Sequence, residues 1–131
     1  NETRIKVIES LIKKNDLDIF IDFNFSNLTP GNFLSFNKIC EENKINVDED
    51  FLQNLKILLN SYKKNKNINL INMILFLTDY HFYNLKEKKN DSIEKIIEDK
   101  SFVISNINKF IAYNLNQNSL INAISNKLSN G

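Results

Sequence analysis

Acid-base, metal or nucleophilic chemistry in this chain would have to start from His81, Cys40 or a carboxylate, because the 131 residues hold one histidine and one cysteine. Asp79 precedes His81 by two positions, and on a helix two such side chains diverge, so they do not make an acid-base pair. His81 reads as a polar residue on the rim of an apolar helix. A metal site would need Cys40 or carboxylates from distant segments, with none of the paired spacings that zinc ligands show. Cys40 lies in an apolar helical pattern with no basic group or histidine flanking it. It reads as a small buried hydrophobe in a reducing compartment rather than a nucleophile.

Phosphate chemistry fares no better. Gly31 and Gly131 are the only glycines, and neither precedes a Lys-Ser or Lys-Thr pair after a strand, as a phosphate-cradling loop requires. Two basic clusters could meet nucleic acid: Lys63, Lys64 and Lys66 beside Tyr62, and Lys86, Lys88 and Lys89. Glu87 interrupts the second, and both fall where helices end, so solvated termini that suit the helix dipole account for them. With 17 Lys plus Arg against 16 Asp plus Glu, the net charge is +1. No catalytic residue, cofactor, metal or small-molecule substrate is expected.

A chain of this length can hide roughly two thirds of its unfolded surface, enough for a core without disulfides. Its 42% hydrophobic and 25% charged residues are those of an ordinary globular protein. No apolar run nears the roughly 18 residues of a membrane span, and the start lacks a signal peptide's apolar core. The expectation is a cytoplasmic protein without membrane contact. Asn1 in place of Met suggests a fragment or processed product.

The elements that would position any site are helices. Ile5, Ile8, Leu11 and Ile12 predict an amphipathic helix over residues 3–14. In 16–27, Leu17, Ile19, Ile21, Phe23 and Phe25 alternate as a strand would, but with no strand to pair with they read as a short irregular helix. Thr29 is an N-cap and Pro30 a first helical residue, fixed near helical φ and lacking an N–H that would go unpaired. Phe33, Phe36, Ile39 and Cys40 carry that helix to about Asn43. Asp48 is the expected cap of a helix bearing Phe51, Leu55, Leu58, Leu59 and Tyr62. Residues 68–85, apolar on nearly all sides, predict the central post of the second half, with Asn72, Thr78 and Asp79 needing partners or a wet edge.

Lys86 to Asn90 are expected to end that helix in a charged turn. Asp91 and Glu94 have capping-box spacing before a long helix. Its apolar side collects Ile93, Ile96, Ile97, Val103, Ile104, Ile107, Phe110 and Ile111, and its stripe weakens enough near Lys100 and Ser101 for a break. A connector from Tyr113 to Asn116 leads to a last helix with Leu120, Ile121, Ile124 and Leu128. The expectation is an all-α fold of about seven helices, with a small unit over 1–45 and a helical bundle over 46–131.

This order of elements, with Thr29-Pro30-Gly31-Asn32 opening a helix and Phe33-Leu34-Ser35-Phe36 following it, resembles the C-terminal part of the delta-prime subunit of the bacterial DNA polymerase III clamp loader. That family's AAA+ lid has a helix opening on a Ser-Pro-Gly-Arg-like motif followed by an Ala-Leu-x-Leu run. Asn114-Leu115-Asn116 before Leu120 and Ile121 looks like its closing element. The resemblance implies a lid-like unit in 1–45 and a collar-like oligomerisation domain in 46–131. It also implies partnership with other clamp-loader subunits in DNA replication, with DNA contacted at most indirectly. Tyr80, Phe82, Tyr83, Tyr113 and Leu115 are the candidate interface residues. Asn32 occupies the position where ATP-binding relatives carry a sensor arginine, and its amide offers a phosphate no fixed charge.

The rival expectations are a free-standing helical adaptor or regulator and, behind it, a small nucleic-acid binder using the lysine clusters. ATP should not bind this chain. Titration calorimetry returning a micromolar affinity would contradict that expectation.

Overall fold

The computed structural model describes residues 3, 6–7, 9–10, 29–88 and 92–129. Among these every regular element is α-helical and no strand occurs. The chain divides into two compact units, residues 1–47 and 48–131.

In the first unit, Thr3, Lys6, Val7, Glu9 and Ser10 are helical and exposed. The apolar positions expected to line that helix, and the whole of 16–27, lie outside the described residues. Helix α1 spans Pro30–Asn43. Thr29 has extended backbone and its hydroxyl oxygen accepts the Asn32 N–H at 3.1 Å, with Pro30 inside the first turn. This satisfies one of the amides left without a helical partner. Phe33, Phe36, Ile39 and Cys40 are buried, and the buried Asn37 amide donates to the Phe33 carbonyl at 2.8 Å. Lys44 ends the helix in the left-handed region at φ 55°, and the Ile45 N–H reaches back to the Cys40 carbonyl at 2.9 Å.

The second unit has four helices: α2 Phe51–Asn65, α3 Ile68–Lys88, α4 Ile93–Tyr113 and α5 Gln117–Ser129. Consecutive helices pack against each other, and α5 also packs on α2, closing the set. α3 is buried along Leu70, Ile71, Met73, Ile74, Phe76, Leu77 and Phe82. A helix with so wide an apolar arc must be covered on more than one side; α2 and α4 do this. Its polar interruptions resolve as chemistry requires. The buried Thr78 hydroxyl donates to the Ile74 carbonyl at 2.9 Å, Asn72 is exposed, and exposed Asp79 pairs with Lys100 at 2.8 Å.

Five helices are bounded among the described residues, against an expected total of about seven that placed two ahead of Thr29. Four boundaries differ from expectation. Asp50, not Asp48, caps α2, accepting the Gln53 N–H at 3.2 Å; Asp48 instead accepts the Tyr80 hydroxyl at 2.5 Å. α3 runs on to Lys88, without turning at Lys86. Ser92, not Asp91, caps α4, its hydroxyl oxygen accepting the Lys95 N–H at 3.1 Å. Glu94 lies in the first turn, where a carboxylate suits the helix dipole.

The fourth concerns Lys100 and Ser101, across which α4 is continuous. The inward row runs through Ile96, Asp99 and Val103, and Asp99 is able to occupy a buried position because Lys95, one turn earlier, holds its carboxylate at 2.6 Å.

Three helix ends enter the left-handed region, at Lys44, Lys66 and Asn114. Lys66 has φ 52° and Asn114 φ 51°; asparagine tolerates this conformation, and lysine accepts it only because helix termination requires it. Ser92→Ala should cost about 1 kcal/mol, whereas Ser92→Asp should retain stability. Urea unfolding measures both, and an unchanged midpoint for Ser92→Ala would contradict the assigned cap.

Candidate interaction surface

His81, Asp79 and Cys40 are each engaged within the fold. The His81 ring lies flat on Phe51, with centroids 4.2 Å apart and planes within 6°, and meets Phe82 edge-on at 5.0 Å. Asp79 is paired with Lys100. Cys40 is fully buried, and burial pushes its thiol up to about 12, so it stays protonated and inert near neutral pH. Among the described residues, no three His, Cys, Asp or Glu side chains gather where a metal ion could sit. No described helix is long and apolar enough to cross a membrane.

The lysines at the end of α2 also have structural positions. Lys63 Nζ lies 5.4 Å from the centre of the Phe110 ring, and Lys66 Nζ 5.0 Å from that of Tyr62. Such contacts contribute roughly 0.5–1 kcal/mol at exposed sites. Both lysines therefore help join or finish helices of the second unit.

Of the five residues expected at an interface, the structure leaves three on the surface. Tyr83, Tyr113 and Leu115 are exposed, Tyr113 to 73%. Tyr113 and Leu115 flank Asn114, the residue whose left-handed conformation ends α4. Phe82 is a correction: it is 2% exposed and belongs to the core, edge-on to Phe51 at 6.2 Å. Tyr80 is half-buried, its ring stacked near Phe76 at 6.0 Å and its hydroxyl given to Asp48. The alternation along α3 accounts for this, since adjacent positions on a helix point about 100° apart.

α4 contributes what was not expected. Its isoleucines do not form one side. Ile96, Val103, Ile107 and Phe110 are buried, while Ile93 and Ile97 are 60% and 59% exposed. One position separates Ile96 from Ile97, which is enough to send them to different faces. On the outer face of α4, Ile97, Ile104 and Tyr113 share an open surface with Lys100, Ser101, Ser105, Asn108 and Lys109. A groove between α3 and α4 runs from Tyr83 and Ile93 to Ile97 and Lys100. The two share Ile97 and Lys100. The signal in the sequence was an apolar arc on α4 wider than a single neighbouring face covers.

No protein-family model, curated protein or solved structure matches this chain. The separation of core from surface can be measured directly. Phe82→Ala should destabilise the protein by roughly 3–5 kcal/mol, while Tyr83→Ala and Tyr113→Ala should each stay within about 0.5 kcal/mol. Denaturant titration reads the difference, and equal losses at positions 82 and 83 would contradict the assignment.

Proposed function

We propose that this chain is a non-catalytic C-terminal portion of a delta-prime-like subunit of a DNA polymerase III type clamp loader. In this reading residues 1–45 are a lid-like unit and 46–131 a collar-like domain that packs against other loader subunits in the cytoplasm during DNA replication. The observation that carries it is the set of exposed apolar side chains on the second unit, Ile68, Tyr83, Ile93, Ile97, Tyr113 and Leu115. Tyr83, Ile93 and Ile97 lie beside one another, and clustered apolar exposure marks surfaces that meet other proteins.

The start of α1 supports the same reading from another direction. Thr29 and Pro30 make a capped helix start, and Asn32, half-buried in its first turn, is neutral where a nucleotide sensor would be cationic. A stator that holds partners without responding to nucleotide has no need of that charge. The positions of Lys63 and Lys66 over aromatic rings count against the nucleic-acid binder, since phosphate contact would compete with those placements.

Expressed as its full natural chain, the protein should co-purify with the other loader subunits as a defined assembly. Failure to assemble, with the protein folded and monomeric, would contradict the clamp-loader reading and leave a free-standing helical adaptor.

A further inference from the structure

We infer that the end of the second unit where α2 finishes, α3 begins and α4 finishes is a docking surface for the anionic headgroups of a lipid bilayer. The inference stands apart from the clamp-loader reading and adds a peripheral contact to it. The absence of a long apolar helix among the described residues bears on crossing a bilayer and not on resting against one.

Short connectors bring these termini together. Lys66 and Asn67 alone separate α2 from α3, and 114–116 separate α4 from α5. Lys63 Nζ lies over the Phe110 ring, which ties the last turn of α2 to the last turn of α4. Every residue of 63–69 and of 112–116 is exposed.

The charge at this end is of one sign. Lys63, Lys64, Lys66 and Lys109 are exposed there, whereas every Asp and Glu of residues 48–131 lies in 48–50, at 79 or in 87–99. The helix dipole accounts for Lys63 and Lys64 in the last turn of α2. It does not account for the starts of α3 and α5, whose first turns hold no acidic residue although the positive end of a helix favours one. Asn67 and Asn116 accept the amides there, from Asn69 at 2.9 Å and from Ser119 at 3.1 Å, while at the opposite end the carboxylate of Asp50 does the same for α2. Asparagine and aspartate cap about equally well, so neutral caps at one end and a charged cap at the other leave the unit polarised.

Apolar side chains stand among these lysines. Ile68 is 67% exposed, Tyr113 73% and Leu115 44%. That combination suits a headgroup boundary, where aliphatic and aromatic groups leave water while ammonium groups stay level with the phosphates. Nucleic acid fits less well. Its phosphates favour the planar fork of arginine, but all four cations are lysine, and those of Lys63 and Lys66 lie over aromatic rings. A bilayer's surface potential attracts them without displacing them, and a phosphate backbone would leave Ile68 and Leu115 uncovered.

The test uses the whole chain and vesicles of two compositions, equimolar phosphatidylserine and phosphatidylcholine, and phosphatidylcholine alone. Co-sedimentation should show binding to the first and not to the second, falling steeply as salt rises. Lys64→Glu and Lys86→Glu change the net charge equally, but Lys86 lies near the far end of α3. The first should weaken binding about tenfold or more, and the second less than about twofold. Ile68→Ser with Leu115→Ser keeps every charge and should weaken binding about tenfold, with the circular dichroism spectrum unchanged.

Equal binding to the two compositions, no binding to either, equal losses for Lys64→Glu and Lys86→Glu, or indifference to the double serine variant would overturn the inference. So would binding of a DNA duplex in place of the vesicles, which would assign this end to nucleic acid. Assembly with loader subunits is a separate readout, so either reading can fail while the other stands.

Discussion

Burial of α3 on two sides is the interaction on which the second unit depends. Met73, Ile74 and Leu77 are at most 1% exposed, and helices on either side must be in place before their side chains leave water. Each buried aliphatic side chain of this size contributes about 1.5–3 kcal/mol by transfer from water. α2 and α4 cover α3, and α5 then bridges the two coverings, packing on both. Polar ties between described segments of the unit include Lys100 to Asp79, Lys127 to Glu98, the Tyr80 hydroxyl to Asp48, and Gln117 Nε2 to the Lys56 carbonyl at 3.3 Å. They orient helices whose association is already favoured by apolar contact, since exposed ion pairs of this kind contribute little.

The same constraint governs the polar residues of the described interior. Those in the interior satisfy the backbone or one another: Asn54 Nδ2 donates to the Glu49 carbonyl at 2.9 Å, Thr78 to the preceding turn, and Asp99 accepts from Lys95. No described buried side-chain nitrogen or oxygen is left without a hydrogen-bond partner. The outer face of α4 is the place where the helical pattern exceeds what the core can cover.

Much of this was legible in the residues. Thr29 and Pro30 mark the start of α1 because capping is local chemistry, and the apolar run around Met73 announces a helix covered on several sides. The all-helical class follows from apolar spacing in every described segment. Three kinds of feature were not legible. Choosing Asp50 over Asp48, and Ser92 over Asp91, depends on which side chain tertiary contacts leave available, and Asp48 is held by Tyr80 from another helix. The left-handed ends at Lys44 and Lys66 carry no local mark, because lysine is not a residue that favours them. The division of α4 into a buried and an exposed row could not be read from periodicity, which shows that Ile96 and Ile97 are both apolar and not which of them meets a neighbour. For the same reason Phe82 resembled an interface aromatic until the packing of α3 placed it inside.

α3 should be the last element of the second unit to lose its structure, because its burial holds the others. Native-state amide hydrogen exchange measures this residue by residue. The amides of Met73, Ile74 and Leu77 should be the slowest in the unit and should exchange only through global unfolding, with those of α5 opening at lower free energy. Exchange of the α3 amides ahead of those in α5, or through local opening independent of denaturant, would contradict it.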